Sequence, residues 1–158
     1  MSKGGAVTPT FVVTGCLRQQ RTTYEGEPVK YVILIHSNPD PWGHPTSSHT
    51  AEGRALPAER HAEMARQFDA LMEEISASGE FVVAEALAAP SSSTVYGWGS
   101  DGPLATDGPY AETKEQLAGF FLIECETRER AEQIARRFAC PGDVIELRPA
   151  MWAGADEG

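Results

Sequence analysis

A chain of 158 residues is the length of one ordinary domain and can bury a core without disulfide or metal staples. Its net charge of −10, with no basic run anywhere, argues against binding to nucleic-acid phosphates or to an anionic membrane surface. No apolar run approaches the roughly 18 to 20 residues that span a bilayer, and the N-terminus lacks a signal-peptide pattern, so a soluble, cytoplasmic protein is expected.

In chain order, residues 1–28 open with Ser, Gly and Pro, offer one short β-like run at Thr10–Thr14, and turn polar through Arg18–Arg21. They read as an N-terminal extension, either an added edge strand or a mobile segment. Tyr31–Ile35 is a continuous apolar run of strand length, which predicts a strand buried on both faces. A loop rich in Pro, Gly, Ser and His follows, from Ser37 to about Leu56. Pro57 suits a helix's first turn, and Met64, Phe68, Leu71, Met72 and Ile75 recur at helical spacing until Gly79 offers a stop. Phe81–Leu87 reads as a strand, Ala88–Ser92 as a turn, and Thr94–Trp98 as a second strand closed by Gly99–Gly102. A charged loop from Thr106 leads into a strand at Leu117–Cys125. Thr127 is a good N-cap for a second helix carrying Ala131, Ile134, Ala135 and Phe138 on one side, ended by Pro141-Gly142. Val144–Leu147 is the last strand, and residues 151–158 form a tail.

Strand, helix, strand, then strand, helix, strand is the order of a ferredoxin-like α+β sandwich, here with an additional hairpin between its halves. One domain is therefore expected over residues 29–150. Two helices cover one face of such a sheet, yet Tyr31–Ile35 and Phe120–Ile123 are apolar on both faces. A second copy of the sheet is the economical cover, so the fold is expected to pair as a homodimeric α/β barrel.

Asp107 is the first candidate for chemistry, as a general base or as the anchor of a polar ligand, with Lys114 or Arg148 nearby to balance its charge. The alternative is an Asp that caps the Asp107-Gly108-Pro109 turn. Glu112 and Lys114 line the same mouth or belong to a solvated loop. His61 is the second candidate: it shares the apolar face of the first helix near its N-terminal end, where the dipole favours a neutral imidazole able to act as a base. His36, Asp40, His44 and His49 carry metal-ligating side chains, but their spacing matches no metal motif, and no metal or cofactor is expected. Trp42 and Tyr110, with Tyr96 and Trp98, could wall a small-molecule pocket, although interface packing suits Trp98 better. Cys16, Cys125 and Cys140 are odd in number and widely spaced, which fits buried thiols rather than a disulfide framework. Nucleotide-binding glycine loops and a Gly-x-Ser-x-Gly elbow are absent.

The run Asp107-Gly108-Pro109-Tyr110-Ala111-Glu112-Thr113-Lys114-Glu115, followed by Gly119 and an apolar strand, resembles the signature of the YCII-related proteins of the DGPF subfamily, with Tyr110 in place of a Phe. The resemblance extends through Lys30–Ile35 and Ile145–Pro149 and so covers roughly residues 30–150. It implies the ferredoxin-like fold and the homodimer. It also implies a small polar metabolite as ligand and a functional association with an extracytoplasmic-function sigma factor, more than it implies a reaction. Dehydrochlorinase-like relatives in the broader group suggest a lyase-type, acid–base alternative using Asp107 with His61, and a purely structural accessory role is the third reading. In the wider group a histidine stands about three turns before the glycine that ends the first helix; here that position is Phe68.

Overall fold

The computed structural model describes residues 27–151. The Thr10–Thr14 run and the tail beyond Met151 lie outside the described residues.

Strand β1, Val29–Ser37, is longer than the apolar run that announces it, because neighbours on both sides extend its ladder. It lies at the centre of an antiparallel four-stranded sheet, between β5 (Gln116–Cys125) and β6 (Asp143–Pro149), with β2 (Phe81–Ala86) outside β5. This order is compatible with a ferredoxin-like α+β fold. Helix α2, Ala58–Ala77, connects β1 to β2, and α3, Arg128–Arg137, connects β5 to β6. Thr127 caps α3 as its side chain predicts, its oxygen accepting from the Arg130 amide at 3.2 Å. Gly79, at a φ of 78°, ends α2 in the left-handed region that glycine adopts without strain.

Both helices cover the same face of the sheet. By strand alternation Tyr31 and Ile33 point to that face, where they meet Leu71 and Ile75 of α2 and Ala131 and Ile134 of α3. Ile33, Leu71, Ile75, Ile123 and Ile134 are fully buried. Burying each such side chain stabilises the fold by roughly 1.5–3 kcal/mol relative to leaving it in water. Arg130 ties the two helices together: its Nε and Nη2 donate to Glu80 at 2.7 and 2.8 Å, and Nη2 also donates to Glu74 at 2.8 Å. Arg137 donates to the other Glu74 oxygen at 2.6 Å. The hydrogen bonds from Arg130 hold the Glu80 carboxyl below its ordinary range despite partial burial.

The opposite face carries Val32 and Leu34 with their direct partners Leu122 and Phe120, together with Val83 and Val144. None of these is buried, and Val83 and Val144 are exposed. No described helix lies over them. Around them His36 meets Glu146 at 3.1 Å, Arg148 meets Glu146 at 2.5 Å and Lys30 meets Glu124 at 3.5 Å.

The region between the two halves differs from expectation in a way that matters for the motif. Thr94–Gly99 (β3) pairs with a further strand, Gly102–Asp107 (β4), as a two-stranded sheet of its own. Gly102-Pro103 reads as punctuation and Leu104 is the strand's one large apolar residue, so periodicity alone does not reveal β4. Pairing with β3, from Thr94↔Asp107 to Gly99↔Gly102, makes it a strand. The loop after β1 also holds more structure than its composition suggests, with a 3-10 turn at Thr46–Ser48 and a short helix, α1, at Ala51–Arg54. Thr50 caps α1 through the Gly53 amide at 3.0 Å, and a side chain at Gly53 would collide with the Ser47 carbonyl. No described helix is long and apolar enough to cross a membrane.

Candidate functional site

The N-terminal half of α2 does not pack on the sheet. Only Leu71 and Ile75, in the helix's second half, are fully buried, whereas Phe68 is 44 % exposed and Met64 half-buried. Between this half-helix, the adjoining ends of β1, β2 and β5, and the Thr46–Ser48 turn lies a cavity of about 810 Å³. That volume falls within the range of small-molecule sites.

Its walls are apolar. Phe68, Phe121 and Phe138 form a mutually contacting set, with ring centroids 6.3 Å apart for Phe68 and Phe121, 6.0 Å for Phe68 and Phe138, and 4.3 Å for Phe121 and Phe138. Met64, Ile35 and Ala118 continue the lining. Its polar end is built by the antiparallel pairing of β1 with β6, which sets Ser37 directly opposite Asp143. Ser37 Oγ donates to Asp143 Oδ1 at 2.5 Å, and Thr46 Oγ1 donates to Oδ2 at 2.9 Å. Burial pushes the Asp143 carboxyl above its ordinary value, and the two hydroxyls offset part of that rise. The neighbouring Cys140 thiol is raised as well, by burial first and then by the Asp143 charge. A raised thiol carries little thiolate at neutral pH, so Cys140 contributes shape to the cavity rather than a nucleophile.

His61 lines this cavity from the first turn of α2, and His44 lines it from the loop. Asp69 of α2 lines it as well. Glu85 borders it too, but its direct partner across the sheet is Phe120, so alternation turns its side chain toward the opposite face.

The other candidate residues stand elsewhere. Asp107 is the last residue of β4, exposed, and outside the cavity lining. The Gly108 amide beside it donates to the Ser93 carbonyl at 2.8 Å, which ties the start of the turn to the residue before β3. Tyr110 (90 % exposed), Glu112 and Lys114 project from the loop after β4, where Lys114 meets Glu115 at 3.6 Å. That loop is held by Gln116, whose amide donates to the Ala111 carbonyl at 2.7 Å. Arg148 lies on the sheet face away from the helices, engaged with Glu146. Trp42 is a clamp: its indole N–H donates to the Leu87 carbonyl at 2.9 Å, the same carbonyl that accepts from His44 Nε2 at 2.9 Å. On the hairpin, Tyr96 and Trp98 are 73 % and 83 % exposed.

The four metal-ligating candidates have separate engagements: His36, on β1, meets Glu146, His44 bonds the Leu87 carbonyl, His49 lies beside Gly43, and the Asp40 amide donates to the His49 carbonyl at 3.0 Å. Among the described residues no group of three or more His, Cys, Asp or Glu is placed to hold a metal ion. The structure thus brings together His61, His44 and Phe68 with residues that the linear pattern does not single out, namely Asp143, Ser37 and Thr46. A signal for the first two existed: Ser37 ends the first apolar strand and Asp143 begins the last, and antiparallel neighbours place such ends side by side.

An uncharacterised protein of Rhizobium meliloti (strain 1021) is 54% identical to this chain over 33 residues, a stretch amounting to 21% of this chain and 27% of that protein. The chain thus aligns with about a quarter of the length of that curated relative. The YCII-related domain matches residues 29–151, from the first strand of the sheet through the residue that follows the last, and the chain belongs to that family.

Proposed function

We propose that this protein is a homodimeric, cytoplasmic small-molecule-binding or regulatory member of the DGPF branch of the YCII-related family, and that its ligand occupies the cavity beside α2. The observation that carries this reading is the cavity itself: about 810 Å³, apolar on its walls, with the hydrogen-bonded Asp143 carboxylate at one end. Phe68, at the position where the wider group carries a histidine, lines the same space, which supports treating it as the family's functional region. Asp107-Gly108-Pro109 and the run from Ala111 to Glu115 support the DGPF assignment, with Tyr110 the departure from its motif, and an association with an extracytoplasmic-function sigma factor is the regulatory context that assignment suggests.

A thermal-shift screen of small metabolites tests the reading, run on wild type and on Ala65→Trp, which fills the cavity from an exposed helix position. The expected outcome is a ligand that raises the wild-type melting temperature in a concentration-dependent way and leaves Ala65→Trp unmoved. Ligands that stabilise both proteins equally would place binding elsewhere.

A second reading, a small acid–base enzyme of the lyase or dehydrochlorinase kind using Asp107 with His61, is favoured by the place of His61 in the cavity lining. Asp107 does not share that lining, so in this reading the hairpin of a second copy supplies it, with Tyr110, Glu112 and Lys114 beside it. A pH–rate profile between about 5 and 8 that is flat and unchanged in His61→Ala would end this second reading.

A further inference from the structure

We propose that the cavity selects an amphipathic organic cation, an ammonium group carried on an apolar body, over neutral and anionic molecules of the same shape. The inference rests on the cavity reading above and names the ligand class of that site. Three features of the lining point the same way.

The first is the balance of charge. Three acidic residues border the space, Asp143 at its polar end, Asp69 of α2, and Glu85, whose side chain alternation turns to the opposite sheet face, and no Lys or Arg is among the described residues that line it. An anion entering there meets carboxylate charge with only two imidazoles, His44 and His61, to set against it. Among the arginines and lysines engaged elsewhere are Arg130 on Glu74 and Glu80, Arg137 on Glu74, Arg66 on Glu63, Arg148 on Glu146 and Lys30 on Glu124.

The second is the state of Asp143. Its oxygens accept from Ser37 and Thr46, which fix the carboxylate's orientation but bring no positive charge. Each carboxylate oxygen retains further acceptor capacity. The nearby protein group that opposes its charge is the His44 imidazole, and a ligand's cation would add a full counter-charge that no Lys or Arg of the lining supplies.

The third is the aromatic set. Phe68, Phe121 and Phe138 present three rings in one wall, and aromatic faces attract ammonium groups while their bulk takes up an apolar body. Rings and carboxylate within one cavity suit a molecule with both parts.

Isothermal titration of the full chain with three matched probes, phenethylamine, phenethyl alcohol and phenylacetate, tests the proposal at neutral pH. The expected result is an amine bound about tenfold more tightly than the alcohol, with the acid weakest. In Asp143→Asn the amine's advantage over the alcohol should disappear while the alcohol's own affinity is kept, which also reports that the variant is folded. Should Asp143→Asn fail to fold, Asp69→Asn, at an exposed helix position, is expected to narrow the gap, and the wild-type ranking remains decisive. Phenylacetate binding as tightly as phenethylamine, or more tightly, overturns the cation preference. If that binding is lost in Ala65→Trp, the cavity reading survives its failure. Absence of binding by all three overturns the preference and counts against the cavity reading as well.

Discussion

Asp143 accepts from Ser37 within the sheet and from Thr46, which holds the Thr46–Ser48 turn against it, and its burial makes those donors matter more at neutral pH than in acid. Its carboxyl is raised above its ordinary value of 3.8, so its ionisation favours the unfolded chain. The associated contribution to stability is present below that value and is lost as pH rises through the raised folded-state pKa. At neutral pH the ionised group relies on Ser37, which is fully buried, and on Thr46 to limit the loss. Removing Ser37 Oγ leaves one buried carboxylate oxygen without its donor, at a cost of about 1–3 kcal/mol. Urea denaturation of Ser37→Ala should show that loss near pH 7 and a clearly smaller one near pH 3, where the carboxyl is largely protonated. Equal losses at both values would mean that Ser37 acts by packing alone.

At the scale of elements, α2 is pinned at its C-terminal half by the core and by Arg130, and stands off the sheet at its N-terminal half. The cavity is a consequence of that division. Arg130 therefore carries a second-half function, and Arg130→Ala should cost about 1–3 kcal/mol because Glu80, only 15 % exposed, loses both of its guanidinium donors. Glu80 sits below its ordinary value of 4.5, so its contribution is present above that value and fades as pH falls through the lower folded-state pKa. Thermal unfolding between about pH 7 and pH 3 should show the wild type losing this increment on acidification and Arg130→Ala having none to lose. How much of this was legible follows from range along the chain. The helix positions Leu71 and Ile75, the Thr127 cap and the strands around Ile33 and Ile123 announce themselves through local periodicity. His61 was legible for the same reason, since it repeats with Met64 and Phe68 on one helical face. Ser37 and Thr46 meet Asp143 across separations of 106 and 97 residues, which only the β1–β6 pairing brings together. Strand β4 was hidden because its partner, not its composition, makes it a strand. The Asp107 motif was conspicuous as sequence because it is local, and it marks the end of a hairpin rather than the wall of the cavity in its own protomer.

For the whole molecule, the sheet face away from the helices is left uncovered by the described helices, and the homodimer proposed above is one way to cover it. Val32, Leu34, Phe120 and Leu122 form its apolar centre, and Val83 and Val144 widen it; the separate hairpin carries Trp98 and Tyr96, both exposed. Apolar surface of this continuity in a soluble protein marks an interaction surface. A second identical sheet fits it best, because its own apolar centre needs the same cover and the flanking pairs of Lys30 with Glu124 and His36 with Glu146 can remain at a polar rim. Phe120→Asp tests this without touching the helix-side core, since Phe120 lies across from Leu34 on the face away from Ile33. An unpaired carboxylate buried between two sheets costs about 3–5 kcal/mol, enough to weaken association a hundredfold or more. Light scattering at micromolar concentration should give wild type at twice the monomer mass and Phe120→Asp at the monomer mass, with the same circular dichroism spectrum. A wild type that is monomeric under those conditions removes the dimer and, with it, any role for a partner's hairpin carrying Asp107 to the cavity. A Phe120→Asp protein that stays dimeric instead moves the interface off this face, to the hairpin aromatics.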